Sequence, residues 1–239
     1  MKNKPSLLGV GTDAKTVKGE AIGVLTGILY LAPSNQSGVM NTCQFASAGC
    51  RASCLYSAGR GSFPNVKRGR IAKTIRFFEN QEQFMRDLVF DIAKLVRKAA
   101  KNNLVPAVRL NGTSDVAWET VLFDGKNIMA HFPDIQFYDY CKSIARARLF
   151  GNGGMPVNYH LTFSKSENND DQVMEAIKLG VNVAVVFAGK TLPATYLGRP
   201  VVDGDLSDVR FADGTGVIVG LKAKGKARKD KSGFVVSVA

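Results

Sequence analysis

The hydrophobic positions of this chain change period several times, and each change marks an element. Residues 27–34, GILYLAPS, form an apolar run closed by Pro33 and a polar turn, which reads as a buried strand. From about Val66 to Asn102 the apolar residues recur three and four apart, as Ile71, Ile75 and Phe78 and then as Phe84, Leu88, Ile92 and Leu95. That is the period of two amphipathic helices, broken near Asn80, with much of the positive charge on their exposed faces. VPAVRLNGTSD, residues 105–115, returns to strand character and runs into a turn at Asn111-Gly112. Residues 118–131 predict a weak helix interrupted by FDGKN, and Pro133 marks the entry to a strand over 135–141, IQFYDYC. A short helix in SIARARLFGNGG, a strand over 156–164, a helix in DQVMEAIKLG and the β-branched run VNVAVVFAG at 181–189 follow.

Strands alternating with helices predict an α/β fold with a parallel sheet, and a (β/α) barrel-like architecture, a full or partial TIM barrel, is expected. The last third breaks that rhythm into short apolar runs between Asp-Gly turns, so we expect an irregular β-rich C-terminal third that finishes the barrel or sheet. With 239 residues, 45% of them hydrophobic, the chain can bury a sizeable core and reads as a single domain over 1–239. Its N-terminal stretch is broken by Pro5, Gly9, Gly11, Gly19 and Gly23, and no apolar run reaches the about 18 residues of a membrane span. A soluble, cytoplasmic protein with no membrane partner is expected.

Charge changes the picture of partners. The formal net charge of +12 predicts salt-dependent attraction for nucleic acid or another phosphate-bearing or acidic partner. The C-terminal segment 221–231 concentrates it, with Lys222, Lys224, Lys226, Arg228, Lys229 and Lys231 against Asp230. Such a run is either a solvated loop or an arm that contacts phosphates, and no DNA-binding motif accompanies it. Asp203, Asp205 and Asp208 can bind a divalent cation through oxygen ligands or simply form a turn.

Chemistry points elsewhere, to residues 41–56, NTCQFASAGCRASCLY, which hold Cys43, Cys50 and Cys54 of the four cysteines. In a reducing compartment clustered thiols are metal ligands or redox groups more often than disulfides. The spacing C-x6-C-x3-C lacks the paired C-x2-C units of zinc knuckles and the C-x-x-C of thioredoxin-like pairs. A loop of small residues whose backbone can wrap inorganic sulfide suits an iron–sulfur cluster better than zinc or a metal-free core. Cys141 either completes an all-cysteine site or is a small residue at a strand end, leaving one iron open. The other candidates for the fourth ligand are His160 and a carboxylate.

Polar residues gather at the C-terminal ends of the predicted strands, the edge where parallel α/β folds bind ligands. Asn111, Ser114, Asp115, Asp139 and His160 are the candidate cofactor-binding residues. Asp139 and Cys141 share one face near the expected mouth. His160 shares a face with Asn158 and Thr162 by the two-residue strand period, as a ligand or as a satisfied core histidine. His131 is expected to cap a helix C-terminus.

A three-cysteine loop directly after the first strand resembles the radical S-adenosylmethionine superfamily. That resemblance implies Cys43, Cys50 and Cys54 as ligands of a [4Fe–4S] cluster whose fourth iron is left for S-adenosylmethionine. The family's usual spacing is C-x3-C-x2-C, and here NGTSD stands where its Gly-Gly-Glu stretch often follows the second strand. Over most of its length, through GTDAKTVKG, TGILYLAPSNQSG, VRLNGTSD, FYDY, NYHLTFS, VVDGD and GLKAKGKA, the chain also resembles the bacteriophage gene product 88 family. This resemblance implies a phage origin and action in the host cytoplasm, and no particular activity. Two functions are therefore expected: an iron–sulfur protein with redox or radical chemistry, or a non-enzymatic nucleic-acid-binding phage protein with a structural metal.

Overall fold

The computed structural model describes residues 6–11 and 14–238. Pro5, one of the expected breakers, lies outside them. The elements run β1 (Leu8–Val10), α1 (Ala14–Glu20), β2 (Val24–Leu29), α2 (Ala48–Ala52), α3 (Pro64–Glu79), α4 (Gln81–Lys101) and β3 (Val105–Arg109). After β3 come β4 (Leu122–Phe123), β5 (Lys126–Asn127), α5 (Ile128–His131), β6 (Gln136–Cys141), α6 (Ile144–Gly151), β7 (Tyr159–Ser164), α7 (Asp170–Lys178) and β8 (Val183–Phe187). The chain ends with β9 (Thr195–Tyr196), β10 (Arg199–Asp203), β11 (Ile218–Lys222) and β12 (Val235–Val236).

Ten strands form one mostly parallel sheet in the order β1-β2-β3-β6-β7-β8-β11-β10-β9, with β12 added to β8. Only β1 and β9, at the two edges, pair antiparallel. The expected alternation is thus present as a mixed α/β fold with a large parallel sheet. The expected first strand is shifted: it starts at Val24 and ends before Tyr30. The two long helices break where expected, because the Asn80 side chain accepts the Gln83 N–H and so caps α4.

Register assigns each strand residue to a face, because paired positions in a parallel ladder point the same way. Val108, Phe137 and Tyr159 form one row, and Cys141, Phe163, Val183 and Ile218 another. Both rows belong to the main core, into which α4 sends Leu88, Ile92 and Leu95 and α7 sends Val173 and Ile177. The opposite face carries Thr26, Ala107, Tyr138 and His160. Its second, smaller apolar core of Val24, Ala107, Tyr138 and Val209 is covered by the turn over 210–212. The buried Arg109–Asp208 pair at 2.8 Å ties that covering segment to β3.

Three expectations need correction. Residues 118–131 are not a weak helix but a 3-10 turn at 118–120, a β4–β5 hairpin and the single turn of α5. Asp124 and Gly125 both have positive φ, 48° and 75°, the backbone of a tight Asp-Gly hairpin turn, which overrides the helical pattern. His131 does end a helix, the single turn of α5, but its side chain is turned away from that turn's carbonyls: its Nε2 hydrogen-bonds the Phe123 carbonyl at 2.7 Å and its ring packs beside that of Phe123. Nor is His160 a satisfied core histidine, since its buried Nε2 has no hydrogen-bond partner in the structure and its ring packs edge-on against Phe150.

Candidate metal centre

The cysteine loop leaves β2 at the C-terminal edge of the sheet, and its shape follows from local hydrogen bonds. Ser34 takes a left-handed backbone, φ 50°, and its carbonyl accepts the Thr42 N–H at 3.2 Å. The Thr42 hydroxyl returns to the Ala32 carbonyl at 2.6 Å, while Ala32 N–H donates to Thr74 of α3 at 2.8 Å. This closes a compact lobe that delivers Cys43 beside the Thr113 carbonyl at 3.7 Å. Ser47 caps α2 by accepting the Cys50 N–H at 3.1 Å. Glu167, from the loop after β7, clamps the same turn by accepting Gly49 N–H at 2.7 Å and the Ser47 hydroxyl at 2.6 Å. Burial would raise the Glu167 carboxyl, but those two bonds hold it below its ordinary value, so the clamp is ionised at neutral pH.

All three loop cysteines are free, half-buried thiols. Burial pushes Cys43 up to about 11, against hydrogen bonds from the Ser34 backbone and Thr42 that pull it down. Cys50 and Cys54 are also raised, first by burial, with Lys142 and Arg51 opposing at Cys50 and Arg70 and Lys142 opposing at Cys54. The charges of Cys54 on Cys43 and of Cys50 on Cys54 are among the raising causes, so the thiols lie within electrostatic reach of one another. Three bare thiolates here would be costly, and they need a positive centre to compensate them.

The positively charged core of an iron–sulfur cluster is one such centre. The Cys43 sulfur lies 3.8 Å from the Thr42 hydroxyl and 3.7 Å from the Thr113 carbonyl, so polar groups already meet it in the loop. Among the described residues no three His, Cys, Asp or Glu side chains converge to hold one metal ion. A cuboidal cluster spreads its ligands over separate corners and does not require such convergence.

The sequence-derived cofactor residues divide. Asn111, Ser114, Asp115 and Asp139 come together in one buried network on the helix-covered side. Asp139 accepts from Asn111 N–H at 2.7 Å and Tyr159 hydroxyl at 2.9 Å, while Asn111 Oδ1 accepts from Ser114 at 2.9 Å and Trp118 Nε1 at 3.1 Å. Arg146 binds Asp115 at 2.7 Å and Glu119 through two bonds of 2.7 and 2.9 Å. Asp115 links this network to the cysteines: its N–H donates to Thr42 at 2.7 Å, and its charge raises Cys43 and Cys50. Glu119, Arg146 and Tyr159 were invisible as partners because they lie far apart in the chain. His160 stands apart on the opposite face, where burial and then the Arg210 charge lower it to about 4. Buried atoms of Tyr140 and Thr162, paired neighbours on that face, likewise have no hydrogen-bond partner in the structure.

Cys141 does share a face with Asp139, but that face is packed: Cys141 is 1% exposed within the main core. Burial lifts it to about 12, and the charges that act on it are those of Arg146, Asp115, Glu119 and Lys142. The acidic turn after β10 is committed to cations, with Asp203 on Lys222, Asp205 on Lys224 and Asp208 on Arg109.

The C-terminal segment reaches the same edge. β12 pairs with β8 at Val186 and Phe187, whereas β7 pairs with β8 lower down, at Val183 and Ala184. This insertion brings Phe234 against Gly49, where an added Cβ would stand 2.8 Å from both Phe234 and Glu167. Lys142 Nζ lies 5.4 Å over the Phe234 ring. An open cavity of about 710 Å³ lies along this segment, its walls including Lys165, Asp170, Tyr196, Lys231 and Val235 and none of the cysteines.

Fold and site together define a mostly parallel α/β protein with a thiol-bearing loop at the C-terminal edge of its sheet. The family model described as Gene product 88 matches residues 6–238, and the chain belongs to that family. No significant match was found among curated proteins or among solved structures.

Proposed function

We propose that this chain is an iron–sulfur protein that holds a [4Fe–4S] cluster through Cys43, Cys50 and Cys54 at the C-terminal mouth of a partial barrel. The observation that carries the reading is the set of three free, half-buried thiols in one loop, with the Cys43 sulfur beside the Thr42 hydroxyl and the Thr113 carbonyl. Such a cluster supplies one-electron redox chemistry and, with one corner left without a cysteine, a place for a small ligand such as S-adenosylmethionine. Lys142 and Arg51 offset the negative charge at Cys50, and Arg70 and Lys142 that at Cys54. Glu167 and Ser47 hold the turn that presents Cys50. The second face supports a barrel-like interior, because residues 204–213 cross it from β10 toward β2: Lys18 of α1 donates to the Asp205 carbonyl at 2.8 Å.

Single substitutions read out the ligand set. Cys43→Ser, Cys50→Ser and Cys54→Ser should each lose most of the bound iron after anaerobic purification, while Cys141→Ser should retain it. Equal iron in all four variants, or loss in Cys141→Ser with its fold intact, would contradict a three-cysteine site.

A further inference from the structure

The basic C-terminal segment runs along the rim of the cysteine lobe. Its 3-10 turn, Gly225–Lys229, packs on the turn Leu55–Ser57, with Gly225 against Ala58. Further on, Ser232 and Phe234 close on Gly49. Between these two attachments Lys226, Arg228, Lys229 and Lys231 are all exposed. Lys222 and Lys224, just before the turn, are neutralised by Asp203 and Asp205, whereas among the described residues no ion pair engages Lys226, Lys229 or Lys231. Asp230, the one acid within the strip, is turned to its own segment, accepting from Ser232 and the Val235 N–H.

The lobe that carries the strip also exposes two aromatic side chains. Phe45, a few residues before Gly49, is 54% exposed, and Phe63, a few residues after Ala58, is 53% exposed. Both belong to the lobe on which the basic turn rests, and no aromatic contact among the described residues engages either ring. Exposed rings beside uncompensated cations are the two components of a surface for unpaired nucleotides: the cations track the phosphates and the rings stack on bases. A duplex hides its base faces and gives such rings nothing to stack on.

We propose that this rim binds single-stranded nucleic acid, with phosphates along Lys226, Arg228, Lys229 and Lys231 and bases on Phe45 and Phe63. The surface requires the folded lobe and not a bound metal, so its test is separate from that of the cysteine site.

The test is fluorescence anisotropy of the full-length protein, purified anaerobically, with a labelled oligothymidine of about 16 nucleotides. The same titration is run with a duplex of equal length, with heparin and with phosphatidylserine vesicles. Single-strand binding should weaken with salt, and K226Q/K229Q/K231Q should lower the slope of log K against log salt by about 2. F45A/F63A should weaken the single strand about tenfold or more, with the slope and heparin binding unchanged. Absence of single-strand binding at low salt overturns the proposal. So does binding that is equal for heparin and indifferent to the phenylalanines, which is plain polyanion attraction. Vesicle binding that depends on the phenylalanines while single-strand binding does not would make the surface a membrane contact instead. The visible spectrum, read on the same samples, reports on the cysteine site independently of all three.

Discussion

Asp139 is fully enclosed, and burial raises its carboxyl to about 7 even though the Arg109 charge and hydrogen bonds from Asn111 and Tyr159 act in the other direction. Between the ordinary carboxylate value and about 7, the folded protein keeps a proton that the unfolded chain has released. Stability from this group therefore falls as pH rises through that window and levels off above it. Asp139→Asn should remove this dependence in urea titrations across the window. Above about pH 7, where Asp139 is ionised, it should also cost about 1–3 kcal/mol, because the new amide presents a donor where Asn111 and Tyr159 already donate. A variant with the wild-type pH slope would show that another group sets it. Gly49 is constrained by space, not by backbone angle. Gly49→Ala should destabilise by about 1–3 kcal/mol and free the C-terminal segment, seen as faster proteolysis near residue 232. Unchanged proteolysis would mean that Phe234 is not held by this contact.

Among the elements, α6 is fixed to the segment that follows β3 by Arg146, whose guanidinium is shared between Asp115 and Glu119. Arg146→Ala leaves two buried carboxylates without their cation and should cost about 3–5 kcal/mol in chemical denaturation. Arg146→Lys should recover less than half, because an ammonium cannot reproduce the two bonds to Glu119. Equal stability of wild type and Arg146→Ala would show that water replaces the cation. Elements with a clear period were legible in the sequence. The break at Asn80, the strand ends at Cys141 and Ser164, and the β-branched run at 181–189 that contains β8 follow from residues that are neighbours in the chain. The β4–β5 hairpin was hidden because Asp124-Gly125 decides it against the surrounding apolar spacing. β12 was hidden because two residues acquire strand structure only through β8. The candidate site was legible to the same extent: three cysteines crowded into one loop announce themselves, and so do the polar strand ends. Their division between two faces, and the pairing of Arg146 with Glu119, depend on register and on contacts across the fold.

At the scale of the whole molecule, the sheet separates two environments. One face is an apolar core under α4, α6 and α7, into which Asp139 and Cys141 are sealed. The other combines the smaller apolar core with polar groups and is covered by residues 204–213, with Arg109, Tyr138 and Asp208 linked across it. Both end at one edge, where the cysteine loop, the loop after β7 and the basic C-terminal segment meet. The net charge of +12 suits both the proposed thiolate site and the proposed polyanionic partner. Among the described residues no helix is long and apolar enough to cross a membrane. The measurement closest to the central claim is the visible spectrum of the anaerobically purified wild-type protein, with iron, sulfide and zinc assayed on the same sample. Broad absorption at about 400 nm, with iron and sulfide in roughly equal amounts at about four each per chain, is the predicted result. A colourless protein carrying stoichiometric zinc, or no metal after reconstitution with iron and sulfide, would contradict it.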